Sequence, residues 1–159
     1  MTSGGIHHVA YACRDLEATR HFYEDLLGFP LVHTEVQGRP DRFMRHIFFD
    51  LGDGSSLAFF YLNGVGEPED YRTDISTGMN LPIWVNHVAF RADESRVADV
   101  RSRLTGAGIE PTMEQDHGWC HSVYYTDPNG ILVEFCRDTP GFEPNPDSAR
   151  QLLTAVPGK

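Results

Sequence analysis

The sequence predicts an α+β fold built from two tandem βαβββ modules. The stretch His8-Val9-Ala10-Tyr11 near the start returns as His87-Val88-Ala89-Phe90 past the middle. Each copy is followed by an acidic residue that opens a helical pattern, and each helical pattern by three strand-like segments. The repeat puts His8 and His87 at equivalent points of its two copies.

Residues 6 to 13 alternate, so His8, Ala10 and Ala12 share one face of a strand and His7, Val9, Tyr11 and Cys13 the other. Asp15 is placed to cap a helix. Leu16, Thr19, Phe22, Tyr23, Leu26 and Leu27 recur at helical spacing, and Gly28 ends the run. Strands are expected over 31–37, 43–51 and 55–62, with a Gly52-Asp53-Gly54 hairpin turn between the last two. These residues, 1–62, form the first module.

Residues 63–80 are polar and turn-rich and read as a linker, long enough to fold over a site as a flap. The second module, 81–137, repeats the order. A strand is expected over 83–91, a helix capped by Asp93 and closed near Gly106, and strands over 109–114, 119–126 and 131–137. In Asp127-Pro128-Asn129-Gly130 the proline presets φ and Asn-Gly tolerates positive φ, which makes a turn. The tail, 138–159, carries four prolines and one short helical stretch over 148–155.

Composition narrows the function. With 159 residues, 40% hydrophobic content and 10 Phe, the chain can fill one packed interior. A net charge of −10 argues against nucleic acid and against anionic membrane surfaces as partners. No apolar stretch is long enough to span a bilayer, and no cationic leader precedes an apolar run. Three cysteines, Cys13, Cys120 and Cys136, without a Cys-x-x-Cys pair, fit a reducing cytoplasm better than a disulfide framework.

Overlaying the two copies on their His-Val-Ala cores aligns the last strands as well. Ala58 follows His8 by 50 residues and Glu134 follows His87 by 47. If the first and last strands of both modules line one cavity, His8, His87 and Glu134 converge there, with Ala58 at the fourth corner. Two imidazoles and one carboxylate suit Fe(II), with Mn(II), Zn(II), Ni(II) and Co(II) as alternatives. Glu134 stands in the apolar run Ile131-Leu132-Val133-Glu134-Phe135, where an unpaired carboxylate is costly.

These motifs identify the chain as similar to the vicinal oxygen chelate superfamily, which includes glyoxalase I, bleomycin-resistance proteins, fosfomycin-resistance enzymes and type I extradiol dioxygenases. The carriers are Ile6-His7-His8-Val9 with Asp15-Leu16-Glu17, the run from Phe22 to Phe29, Asn86-His87-Val88-Ala89-Phe90, and the run from Tyr124 to Glu134. The resemblance spans about residues 6 to 137. It implies a cup-shaped mixed sheet around a divalent metal, a small-molecule substrate with vicinal oxygens, and a homodimer. It maps the ligands onto His8, His87 and Glu134, with Ala58 unable to ligate. Three such ligands match extradiol dioxygenases, and Tyr124 stands ten residues before Glu134 as the active-site tyrosine of those enzymes does. The catalytic histidine of ring-cleaving enzymes is replaced by Ser55 and Ser56, leaving His46, His121 or His117 as candidate bases. The implied reaction is extradiol-like oxidation of a catechol-like substrate. The alternatives are a glyoxalase or epimerase reaction, and metal-free drug binding.

Overall fold

A computed structural model describes residues 4–66 and 70–157. Glu67, Pro68 and Glu69 of the expected linker, residues 1–3 of the lead and residues 158 and 159 of the tail lie outside the described residues.

The duplicated architecture is the α+β one expected. Strand β1 (His8–Cys13) leads into α1 (Leu16–Arg20, continuing as a π-helical segment His21–Leu26). Strands β2 (Leu31–Arg39), β3 (Arg42–Asp50) and β4 (Ser56–Asn63) complete the first module. The second contains β5 (His87–Arg91), α2 (Glu94–Gly106), β6 (Met113–Asp116), β7 (Cys120–Thr126) and β8 (Leu132–Asp138). The sheets have the orders β1-β4-β3-β2 and β5-β8-β7-β6, each with one parallel pairing. They are separate ladders, so β1 and β5 are each an open edge within the protomer.

Register makes the duplication concrete. Ala10, two residues after His8, pairs with Ala58; Ala89, two residues after His87, pairs with Glu134. Ala58 and Glu134 therefore occupy the same place in the two sheets.

Local chemistry sets the boundaries. Asp15 accepts from the backbone N–H of Ala18, and Asp93 from that of Arg96, so both helices start where a carboxylate satisfies orphan donors. Phe22 and Tyr23 are both buried although they are neighbours in sequence. The π-helical turn, closed by Leu27 N–H onto the Phe22 carbonyl (2.9 Å), accompanies this double burial. Gly28, at φ +71°, then turns the chain out, with Phe29 N–H returning to the Tyr23 carbonyl.

Two second-module strands start later than the sequence predicts. Val85 N–H bonds the Pro82 carbonyl in a turn, so β5 begins at His87 rather than 83. Ile109 N–H closes the end of α2 on the Leu104 carbonyl, and Pro111 brings no N–H, so β6 begins at Met113. In the tail, Asn145 caps α3 (Pro146–Leu152), with proline in its first turn.

One core joins the modules through α1. Tyr23 packs on Phe49 and Phe59 of its own sheet, and its hydroxyl donates to Asp127 of the second module at 2.9 Å. Asp127 is buried and also accepts from the N–H groups of Asn129 and Ile131 and from the Asn129 amide. Burial still holds its carboxyl above the usual carboxylate range. Phe29 meets Phe90 with ring centroids 4.8 Å apart. The segment after the undescribed linker residues is pinned to both modules: Tyr71 OH donates to the Cys13 carbonyl, and Thr73 OH to the Asn129 carbonyl.

Tyr23→Phe removes one of four bonds to a buried carboxylate. We expect a loss of about 1–2 kcal/mol, read as a lower urea midpoint with an unchanged slope.

Candidate metal centre

Strand alternation collects polar side chains on the face of the second sheet opposite α2. Glu134 and Cys136 project there from β8, Cys120, Ser122 and Tyr124 from β7, and His87 from β5. Glu134 is 4% exposed. A buried carboxylate needs partners, and two are in place. The Ser122 hydroxyl donates to Oε1, and His87 Nε2 lies 3.0 Å from Oε2.

The His87 contact is chemically informative. The other ring nitrogen, Nδ1, is 2.9 Å from the Trp84 carbonyl oxygen, which can only accept. Nδ1 therefore carries a proton, and Nε2, facing a carboxylate oxygen, is either the second N–H of an imidazolium or the lone pair of a neutral ring. The imidazolium donates directly to Glu134; in the neutral ring two lone pairs at that distance repel, and a cation between or beside them would relieve the repulsion. Adjacent donors on one cation with bonds of about 2.1 Å stand about 3.0 Å apart. The residues present thus fit a divalent cation, and the Trp84 carbonyl orients the ring as an outer hydrogen bond to a metal-ligating histidine does.

Tyr124 pairs directly with Glu134 across the ladder. Its hydroxyl is 3.0 Å from His117 Nε2, and its ring lies edge-on to His87 at 6.0 Å. Burial, opposed by the Ser122 hydroxyl and reinforced by the Glu134 charge, pushes its phenol up to about 12. Nearby, burial and then the Cys120 thiol push Cys136 up to about 12.

The corresponding face of the first sheet carries His8 and His46. His8 Nδ1 is 2.8 Å from His7 Nδ1, and its ring lies 6.1 Å from that of His46. His46 is 8% exposed, stacked on Phe60 at 3.6 Å, with Phe48 at 4.1 Å. Its Nε2 is buried without a partner, and burial lowers its pKa. Ala58, fully buried, presents only a methyl group at the position matching Glu134.

Within one protomer the structure brings His87, Glu134 and Tyr124 together but does not add His8 to them. Among the described residues, the three-donor set whose ligand atoms lie within 4.8 Å of one another is His117, Cys120 and Glu134. His121 is on the other face of β7, beside Asp116 at 3.7 Å and the groove along α2, because alternation turns it away from Tyr124. Ser122 and the Trp84 carbonyl went unnoticed in the sequence. The alternation of Cys120, Ser122 and Tyr124 was a usable signal for the first; a backbone carbonyl leaves none.

The family model described as Glyoxalase/Bleomycin resistance protein/Dioxygenase superfamily matches residues 5–135. Over 145 residues the chain is 27% identical to MhqA of Bacillus subtilis, a protein named as a ring-cleaving dioxygenase; this covers 89% of the chain but only 42% of that relative. It is 26% identical to the metallothiol transferase FosB of Lysinibacillus sphaericus, covering 85% of the chain and 83% of the relative. A crystal structure of a glyoxylase/bleomycin resistance protein/dioxygenase domain from Frankia sp. shares the fold, with a TM-score of 0.63 at 20% identity over 89% of this chain and 96% of that one.

The orphaned imidazole of His46 gives a test of whether that position is kept for chemistry. His46→Phe should raise thermal stability by about 1 kcal/mol, since a buried unsatisfied nitrogen is removed and the stack on Phe60 is kept. Differential scanning calorimetry reads the change.

Proposed function

The chain belongs to the glyoxalase/bleomycin resistance protein/dioxygenase superfamily, and on that premise we propose a metal-dependent enzyme of the extradiol type. Its substrate is a small molecule with two adjacent oxygens, catechol-like, and its metal is Fe(II). The observation that carries this reading is the His87–Glu134 pair, in which Nε2 stands 3.0 Å from a buried carboxylate and the ring's other nitrogen is already committed.

The third ligand is His8, supplied by a second copy. In one protomer β1 and β5 both end their sheets with open edges. Setting β1 of one copy beside β5 of its partner builds a continuous sheet and carries His8, His46, Phe48 and Phe60 to the face that bears His87 and Glu134. Symmetry then gives two equivalent sites per dimer.

A divalent cation held by His8, His87 and Glu134 would chelate the two substrate oxygens and lower the pKa of a coordinated hydroxyl. The chain's own residues do the rest. Tyr124 stays protonated to high pH and donates a hydrogen bond to a substrate oxygen. His117 is exposed, at hydrogen-bond distance from the Tyr124 hydroxyl, so a proton released at that oxygen has a two-step route to solvent. Phe48 and Phe60, which pack on the His46 ring, would supply flat apolar walls for an aromatic ring. His46 stands beside His8 on the same face, with ring centroids 6.1 Å apart, and its lowered pKa keeps it neutral and able to accept a proton.

The extent of the match to FosB favours a second reading, thiol transfer at the same ligand set.

Fe(II)-reconstituted protein, prepared anaerobically, should consume dioxygen when given catechols, and Glu134→Gln should not. Loss of free thiol without dioxygen uptake would replace ring cleavage by transfer. Separately, His8→Ala and Glu134→Gln should each be inactive. After their dimers are mixed and re-associated, about a quarter of wild-type activity should return, because half the dimers then hold one intact site of two. Ligands drawn from a single chain would give no recovery.

A further inference from the structure

Glu134 presents two oxygens to two different neighbourhoods. Oε2 faces His87. Oε1 accepts from Ser122, whose hydroxyl oxygen lies 3.6 Å from the sulfur of Cys120. Cys120 is fully buried, and its sulfur, a Glu134 oxygen and a ring nitrogen of His117 all lie within 4.8 Å of one another. His8 and His87 are not members of this set.

The donor types matter. A thiolate, an imidazole and a carboxylate together favour a thiophilic cation and a tetrahedral shell with one open position. Donors around a tetrahedral zinc ion are separated by about 3.4–3.7 Å, and these three lie within 4.8 Å, so a small side-chain movement completes the shell. The member able to move is His117. It is exposed, on the turn between β6 and β7, next to Gly118 at φ +80°. When its Nε2 swings inward, the Tyr124 hydroxyl, now 3.0 Å away, loses that partner and has Glu134 within reach on the paired strand.

We propose that Cys120, His117 and Glu134 form a second cation site, selective for Zn(II) and similar thiophilic ions, that shares its carboxylate with the His87 pair. On binding, the Cys120 thiol loses its proton to solvent and sulfur bonds the ion; no electron transfer is involved. Because Glu134 serves both sets, zinc here draws the carboxylate away from His87 and competes with the hard-metal site. The cation site stands on the geometry of these three residues; its competition with the hard-metal site rests on the function proposed above.

Cobalt(II) is the probe, since thiolate ligation gives it near-ultraviolet charge-transfer absorption that nitrogen and oxygen ligands do not. Titration of the full chain should develop this absorption, and excess Zn(II) should remove it. Cys120→Ser should abolish it. His117→Ala, at an exposed position where folding persists, should weaken Co(II) and Zn(II) binding at this band by tenfold or more. His8→Ala should leave the band unchanged, which separates this site from the proposed catalytic one. Lack of the band in the wild-type chain at saturating Co(II) would overturn the proposal, and so would its survival in Cys120→Ser. If Cys120→Ser does not fold, unchanged affinity in His117→Ala overturns it alone.

Discussion

A carboxylate buried in an apolar strand, facing an imidazole nitrogen, is the constraint around which the second module is arranged. Glu134 has hydrophobic neighbours before and after it in β8, and its charge is tolerable only because β7 and β5 bring polar groups to the same face. The late start of β5 belongs to this arrangement. The turn over Pro82 to Val85 places the Trp84 carbonyl on the His87 ring, and Trp84 itself is 56% exposed. The sheet register then sets Ala89 opposite Glu134, two residues from His87 on the same face.

Duplication explains the contrast between the modules. The first has the same register and the same leading histidine, but a methyl group where the second has a carboxylate. Without that anion, its polar face has filled with imidazoles and aromatic rings, His8, His46, Phe48 and Phe60. One half therefore supplies charge and hydrogen-bonding groups, the other a flat apolar wall. The unsatisfied nitrogen of His46 is a cost that packing alone does not explain, as expected of a site held for a ligand.

Much of the fold was legible because it repeats and because its punctuation is local. Asp15 and Asp93 cap where their side chains can reach orphan amides, and Asp127-Pro128-Asn129-Gly130 turns as its residues require. The starts of β5 and β6 were less legible, since Ile83 and Ile109 look like strand residues while turns take the Pro82 carbonyl and the Ile109 N–H. At the site, Glu134 stood out by contrast with its strand, and His87 by its match to His8. The separation of His8 from that pair within a protomer could not be read, because motifs fix position along a strand and say nothing about which copy of the sheet lies opposite. His121 illustrates the same limit at short range: one residue of register decides whether a side chain enters the site or leaves it.

Binding of Mn(II), a hard ion with little preference for sulfur, isolates the central claim from the thiolate set. Electron paramagnetic resonance titration should find one tight Mn(II) per chain in the intact protein, and loss of that binding in both His87→Ala and His8→Ala. Equal tight binding in either variant would contradict the account.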